Sequence, residues 1–368
     1  MGSKKKVMTV VGTRPEIIRL SEVIKKLDRH LDHVLVHTGQ NYDYELSEIF
    51  FSELGIRRPD HFLDADRSTL GATVGDIIKK SEEVLKKEKP GALLVLGDTN
   101  SCLAAYMARR MHIPIYHMEA GNRCYDFRVP EETNRRIIDH IADVNLVYTE
   151  HARRHLLSEG LPHNRIFLTG SPMREVLDVH REKIKKSDIL TALDLKEGDY
   201  FLISAHREEN VDEPENLKNI LEVLNRLADT YQLPVIVSTH PRTRQRLDEL
   251  GKGPLPENKL IRFLKPFGFI DYNHLQMHAR CVLSDSGTIS EESAILNFPA
   301  VTLRNAMERP EARDAGTIIL TGLQPDTIVH SIEILLDSYN SRENIQIPFE
   351  YQIVDSASRV LNIIAGLR

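Results

Sequence analysis

Along the chain, short runs rich in Val, Ile and Leu alternate with longer stretches in which charged and apolar residues mix at helical spacing. Runs that stay apolar at successive positions fit strands buried on both faces, as in parallel sheets whose crossovers are helices. The pattern predicts strands at 6–11, 33–37, 92–96, 113–118, 144–148 and 165–169, then a second set at 200–204, 235–239, 260–264, 281–284, 300–303 and 317–320. The expected fold class is α/β, with two Rossmann-like, doubly wound parallel-sheet domains. A polar, helix-favouring segment at 173–198, with Arg181-Glu182-Lys183 and Lys185-Lys186, suits an interdomain connector. The boundary is therefore expected within 169–172, giving domains 1–171 and 172–352. Near the end, Ala357, Val360, Leu361, Ile364 and Ala365 recur close to helical spacing and predict a closing helix over 355–367, packed on one domain.

Nearly every predicted strand ends in a polar or glycine-containing signature: Gly-Thr-Arg-Pro-Glu at 12–16, His-Thr-Gly-Gln at 37–40, Gly-Asp-Thr-Asn at 97–100, His-Met-Glu-Ala-Gly at 117–121, His-Arg-Glu-Glu-Asn at 206–210, His-Pro-Arg at 240–242 and Asp-Ser-Gly-Thr at 285–288. Any one of these is ordinary turn chemistry. Together, in both halves, they put a ligand site at the carboxyl ends of two sheets, in a central cleft between facing domains.

Residues 286–292 (Ser-Gly-Thr-Ile-Ser-Glu-Glu) follow a strand and open a helix, whose first-turn N–H groups suit an anion. The same residues equally fit a Ser N-cap with acidic side chains in the first turn. Pro15 suits a helix start and Arg14 can grip a phosphate in two places. Arg304 and Arg309 add cations after a late strand. Asp98 and Glu119 each sit just past a strand, and close carboxylates push each other's protonation apart, which suits one as base and another as acid. Glu131 and Glu132 follow Pro130 at a helix start, where carboxylates also serve the macrodipole. His206 and His240 end strands of the second half and could meet a ligand's phosphate.

Composition narrows the chemistry. At about 150 residues per domain, 368 residues predict two domains. With 48 basic and 54 acidic residues the formal charge is −6, which predicts no general pull toward nucleic acid or an anionic membrane. Three cysteines, Cys102, Cys124 and Cys281, are spaced too widely for a metal motif or a disulfide framework. With no apolar run near the length of a membrane span and no apolar leader after Met1, the expected location is cytoplasmic. The chain lacks Gly-x-x-x-x-Gly-Lys-[Ser/Thr], Gly-x-Gly-x-x-Gly and Gly-x-Ser-x-Gly. Phosphotransfer on a P-loop, NAD-dependent oxidation and a hydrolase nucleophile are thereby set aside.

Seven collinear motifs carry a resemblance: 12–16, 97–99, 117–121, 130–135 (Pro-Glu-Glu-Thr-Asn-Arg), 205–210 (Ala-His-Arg-Glu-Glu-Asn), 284–292 and 308–311 (Glu-Arg-Pro-Glu). Taken together the chain resembles the non-hydrolysing UDP-N-acetylglucosamine 2-epimerases over nearly its whole length. The resemblance implies a GT-B-like architecture, with a C-terminal helix, about 353–368, returning to the first domain, and a homodimer. It implies epimerisation at C2 of a UDP-linked N-acetylamino sugar, by elimination of UDP to a 2-acetamidoglycal and re-addition, with no cofactor or metal. Matching positions assign Asp98, Glu119 and Glu131 as acid/base candidates, Asp98 first, and His206 as a catalytic or diphosphate partner. Arg14, Arg19, Ser286, Gly287, Thr288 and Arg309 fall at UDP-sugar-binding positions, Glu292 at the ribose and Tyr272 near the uracil.

The loop from Glu119 to Glu132 lacks the tryptophan of typical members and carries Phe127 and Val129. It resembles the capsule and O-antigen branch that converts UDP-2-acetamido-2,6-dideoxy-L-talose to UDP-N-acetyl-L-fucosamine. A Gln-His pair that binds a second, activating UDP-sugar in the family is here Gln40-Asn41, followed by Tyr42, so that regulation is not expected. The alternatives are a UDP-GlcNAc 2-epimerase producing UDP-ManNAc, a glycosyltransferase of the same fold, a hydrolysing relative, or a nucleotide-sugar-binding regulator.

Overall fold

The computed structural model describes residues 4–40, 44–127, 129–250, 257–339 and 347–367; Asn41 and Tyr42 lie outside them. The chain divides into two compact units, residues 1–179 with 349–368, and residues 180–348. Each is a parallel Rossmann-like sheet with helical crossovers, as the apolar runs predict.

The first unit holds β1 (Lys6–Val11), β2 (Asp32–His37), β3 (His61–Phe62), β4 (Ala92–Leu96), β5 (Ile115–Met118), β6 (Val144–Val147) and β7 (Ile166–Leu168), in the order β3-β2-β1-β4-β5-β6-β7. Strand β3 is absent from the sequence prediction because two residues, one of them exposed, make no apolar run. Strand β5 starts at Ile115 rather than residue 113, because Pro114 just ahead of it has no N–H to give the ladder. Met8, Val10, Leu93, Val95 and Ile115 form the buried core with Ile138 of the helix Pro130–Ile141.

The helix Ser356–Gly366 belongs to this unit. Glu175 accepts from the Ala357 N–H at 2.8 Å at its start, and Lys5 donates to the carbonyls of Ile364 at 2.8 Å and Leu367 at 2.7 Å at its end. Each helix terminus is thus tied to the body of the unit through some of its unpaired backbone groups.

The second unit holds β8 (Phe201–Ser204), β9 (Val235–Ser238), β10 (Ile261–Leu264), β11 (Cys281–Ser284), β12 (Ala300–Thr302) and β13 (Ile319–Leu320), in the order β10-β9-β8-β11-β12-β13. Its core sets Phe201, Ile203, Val235 and Leu283 against Leu224 and Ile332 from the crossover helices. In both sheets the winding direction reverses beside the first strand, between β1 and β4 and between β8 and β11. Such switch points open a crevice at the strands' carboxyl ends.

Candidate active site

In the first unit the register brings the switch-point turns level. Val11 pairs with His37, and Leu96 with Met118, so 12–16, 97–99 and 119–121 leave the sheet along one edge. Gly12 cannot be replaced there, since a Cβ would sit 2.0 Å from Thr38 Oγ1 and 2.1 Å from Ser101 Oγ. The helix Arg14–His30 begins after Thr13, with Pro15 in its first turn. Glu16 reaches back in the manner of a capping box, accepting from Gly12 N at 3.0 Å and Thr13 Oγ1 at 2.7 Å. Burial pushes its carboxyl up to about 7, against those donors, which favour the ionised form.

One turn further along the helix, the buried Arg19 guanidinium pairs with the buried Glu119 carboxylate. Glu119 adopts φ +63°, a left-handed conformation uncommon outside glycine. Its Oε2 lies 3.9 Å from the point where a Cβ on Gly97 would stand, so the carboxylate lies beside the turn that carries Asp98. Asp98 accepts from Arg135 at two nitrogens, Nε at 2.9 Å and Nη2 at 2.5 Å. Arg135 also donates to Glu132 at 2.7 Å, and Asn134 to the Asp98 carbonyl at 2.9 Å. Burial raises the Glu132 carboxyl, but the Cys124 N–H and the Arg135 charge outweigh it and hold it below the usual range. Glu131 is only partly buried in the first turn of the same helix; the carboxylate that joins the Arg135 network is Glu132. Arg14 lies 5.8 Å from the Phe50 ring centroid.

In the second unit Ser204 pairs with Ser284, so His206 and Asp285 leave the sheet side by side. His206 Nδ1 stands 3.1 Å from Asp285 Oδ1. Asp285 Oδ2 accepts from the backbone N–H groups of His206 at 2.8 Å and Arg207 at 2.9 Å, and from Asn210 at 3.0 Å. Burial opposes ionisation of Asp285, but His206 and these donors hold its carboxyl well below the usual range.

The following turn departs from the Ser-cap alternative. Thr288 occupies the cap position of the helix Ile289–Leu296 without a side-chain cap bond, and Ser286 Oγ lies 3.3 Å from the Thr288 N–H and 3.0 Å from Thr288 Oγ1. Arg309 donates to the Gly287 carbonyl and pairs with buried Glu291 at 3.0 Å. Glu292 accepts from Gln276 at 2.8 Å. Burial and the Glu292 charge push the Tyr272 phenol above its ordinary range, against bonds to Ser204 and Ser284. The structure thus gathers His206, Tyr272, Ser286, Gly287, Thr288, Glu292 and Arg309 around the ends of β8 and β11.

Sequence reasoning did not single out Arg135, Glu16, Asp285 or Asn210. Each lies inside a quoted motif; Glu16 finds its donors within its own turn, but the partners of Arg135, Asp285 and Asn210 come from a different strand turn, and only the sheet order joins them. Among the described residues no helix is long and apolar enough to cross a membrane.

The fold and these clusters define an α/β enzyme with two Rossmann-like halves and ion-paired carboxylates at a switch point. The model of the UDP-N-acetylglucosamine 2-epimerase family matches residues 25–365, and the chain belongs to that family. A UDP-N-acetylglucosamine 2-epimerase structure from Rickettsia bellii is 50% identical with a TM-score of 0.92, covering 99% of this chain and 96% of its own. The Methanocaldococcus jannaschii UDP-GlcNAc 2-epimerase, solved with UDP-GlcNAc and UDP, is 36% identical with a TM-score of 0.92, covering 98% of this chain and 100% of its own. A Pseudomonas aeruginosa UDP-2,3-diacetamido-2,3-dideoxy-D-glucuronate 2-epimerase is 36% identical over 332 residues, 89% of this chain and 91% of its own.

Proposed function

We propose that the chain epimerises C2 of a UDP-linked N-acetylamino sugar, with Asp98 as the base. Asp98 takes the C2 proton, the C2–H electron pair becomes the C1–C2 double bond, and the C1–O bond breaks as UDP leaves with its pair. The product of this half-reaction is a 2-acetamidoglycal. On return a UDP oxygen bonds to C1 and a proton is delivered to the opposite face of C2. Glu119 and Glu131 carry protons; His206 partners the diphosphate. Arg14, Arg19, Ser286, Gly287, Thr288 and Arg309 bind the nucleotide sugar, Glu292 the ribose, and Tyr272 lies near the uracil. The observation that carries this reading is that Asp98 and Glu119, in the turns that follow adjacent strands, have separate cationic partners, Arg135 and Arg19. Two carboxylates charged separately can hold different protonation roles.

The finer assignment is conversion of UDP-2-acetamido-2,6-dideoxy-L-talose to UDP-N-acetyl-L-fucosamine for surface polysaccharide, by a cytoplasmic homodimer. Its support is the tryptophan-free loop with exposed Phe127, whose ring lies 5.3 Å from the Arg136 guanidinium. An apolar contact suits a 6-deoxy sugar better than a hydroxymethyl group. A second reading, UDP-GlcNAc to UDP-ManNAc, is favoured by the names of the Rickettsia and Methanocaldococcus relatives. Product analysis by proton NMR after separate incubation with each UDP-sugar decides between them: the substrate is the sugar that reaches an equilibrium of two UDP-linked epimers. Accumulation of free sugar and UDP overturns the epimerase assignment in favour of hydrolysis.

A further inference from the structure

We infer that His117, held by Asp139, is a positioning residue that locks the Asp98 and Glu119 turns to each other. The inference rests on the role proposed above for those two carboxylates.

His117 lies on β5, and its side chain and that of Asp139 are wholly buried. Its Nδ1 is 2.9 Å from Asp139 Oδ1 and its Nε2 is 2.8 Å from the Gly97 carbonyl oxygen. Gly97 immediately precedes Asp98. The Asp139 carboxylate also accepts from the Gly121 N–H at 3.1 and 3.2 Å, and Gly121 stands two residues after Glu119. One imidazole–carboxylate pair therefore spans from the β4 turn to the β5 turn. It is anchored on the helix Pro130–Ile141, which also presents Arg135 to Asp98.

Hydrogen-bond inventory sets the state of the ring. A carbonyl oxygen only accepts, so Nε2 carries a hydrogen. Asp139 faces Arg123 Nη1 at 2.7 Å as well as the Gly121 N–H; burial opposes its ionisation, but His117 and Arg123 outweigh it and hold the carboxyl below the usual range. Nδ1 thus faces an acceptor as well, and both ring nitrogens are placed to donate. Arg123 is itself held by Glu159 at 2.7 Å, and Glu159 also meets Arg136 at 3.4 Å and His140 at 3.7 Å. Burying the Arg123–Asp139 ion pair is a poor route to stability, since apolar residues of similar volume commonly serve as well. What the cluster supplies is geometry: Glu119 sits at φ +63° between residues fixed at both ends, and Gly121, at φ +80°, has no room for a Cβ, which would meet the Ala152 carbonyl oxygen at 2.4 Å.

The test measures C2 deuterium exchange in D2O by wild type, His117→Phe and Asp139→Asn, with turnover normalised to UDP-binding sites counted by titration. A displacement of about 1 Å at a reacting centre costs about a hundredfold in rate. Both variants are expected to lose about a hundredfold in kcat per site while KM changes less than threefold. In 15N-histidine NMR, one wild-type ring is expected to show hydrogens on both nitrogens, and His117→Phe to abolish that signal. Full kcat per binding site in His117→Phe, or a His117 ring with a single hydrogen, overturns the inference while leaving the epimerase reading intact. A wild-type enzyme that exchanges no C2 hydrogen overturns both. His117→Gln, which can still donate to one partner, is expected to recover part of the rate if His117→Phe folds poorly; equal loss in both overturns the positioning role.

Discussion

Arg135 grips the Asp98 carboxylate through two nitrogens, Nε at 2.9 Å and Nη2 at 2.5 Å, while its third nitrogen holds Glu132 at 2.7 Å. Both bonds to Asp98 fall on Oδ2, so this geometry leaves Oδ1 out of the arginine's grip. The proposed base is thereby oriented by a cation. Removing the guanidinium leaves the buried Glu132 carboxylate with Arg136 at 3.0 Å and the Cys124 N–H at 3.1 Å, so the loss falls short of the about 3–5 kcal/mol that a wholly unpaired buried charge costs. Arg135→Gln is expected to lower the urea midpoint clearly and to reduce C2 exchange more than UDP affinity. Arg135→Lys is expected to recover stability more than rate, because a point charge cannot reproduce the planar fork.

Asp98 itself is less committed to the fold, its side chain being 20% exposed. Asp98→Asn is therefore expected to leave the unfolding transition nearly unchanged and to lower the epimerisation rate by about 10²–10⁴-fold, the usual range for a lost general base. Calorimetric UDP binding should persist. Unaltered turnover would remove Asp98 from the reaction.

Glu16 makes the stability of the first unit depend on pH in an unusual direction. Its carboxyl is raised from 4.5 to about 7 by burial, so between those values the native chain binds a proton that the unfolded chain has lost. Stability from this group is then fully present below the unfolded value and declines as pH rises through the window. The displacement corresponds to about 3 kcal/mol at full extent. Glu16→Gln is expected to erase the decline, gaining relative to wild type at pH 8 and not at pH 5 in urea unfolding followed at both values.

Asp285 acts with the opposite sign. Its carboxyl is held below the usual range by His206 and the surrounding N–H donors despite burial, so its contribution is present above the ordinary carboxylate range and is lost as pH falls toward the native value. Asp285→Asn is expected to weaken the second unit at neutral pH and to flatten its acid transition below about pH 4. An acid limb identical to wild type would remove Asp285 from the acid transition.

The strands were legible because burial on both faces leaves near-continuous apolar runs, as at Ala92–Leu96 and Val235–Ser238. Strand β3, with two residues at the sheet edge, has no such signature. Motifs exposed the turns but not their partners. Asp98 and Arg135 are 37 residues apart, and Asn210 and Asp285 are 75 apart. Those pairings follow from which strands lie side by side, a property of the winding order. Glu16 reads locally as a helix-start carboxylate, and its burial emerges only when the turns of β1, β2 and β4 close over it.

In the proposed reaction a protein carboxylate exchanges the C2 proton of a UDP-linked sugar. The most direct measurement is proton NMR with mass spectrometry after incubation of wild type in D2O with the accepted UDP-sugar. One deuterium is expected at C2 of the UDP-linked epimer, with none incorporated by Asp98→Asn over the same period. An epimer that retains its original C2 hydrogen would contradict it.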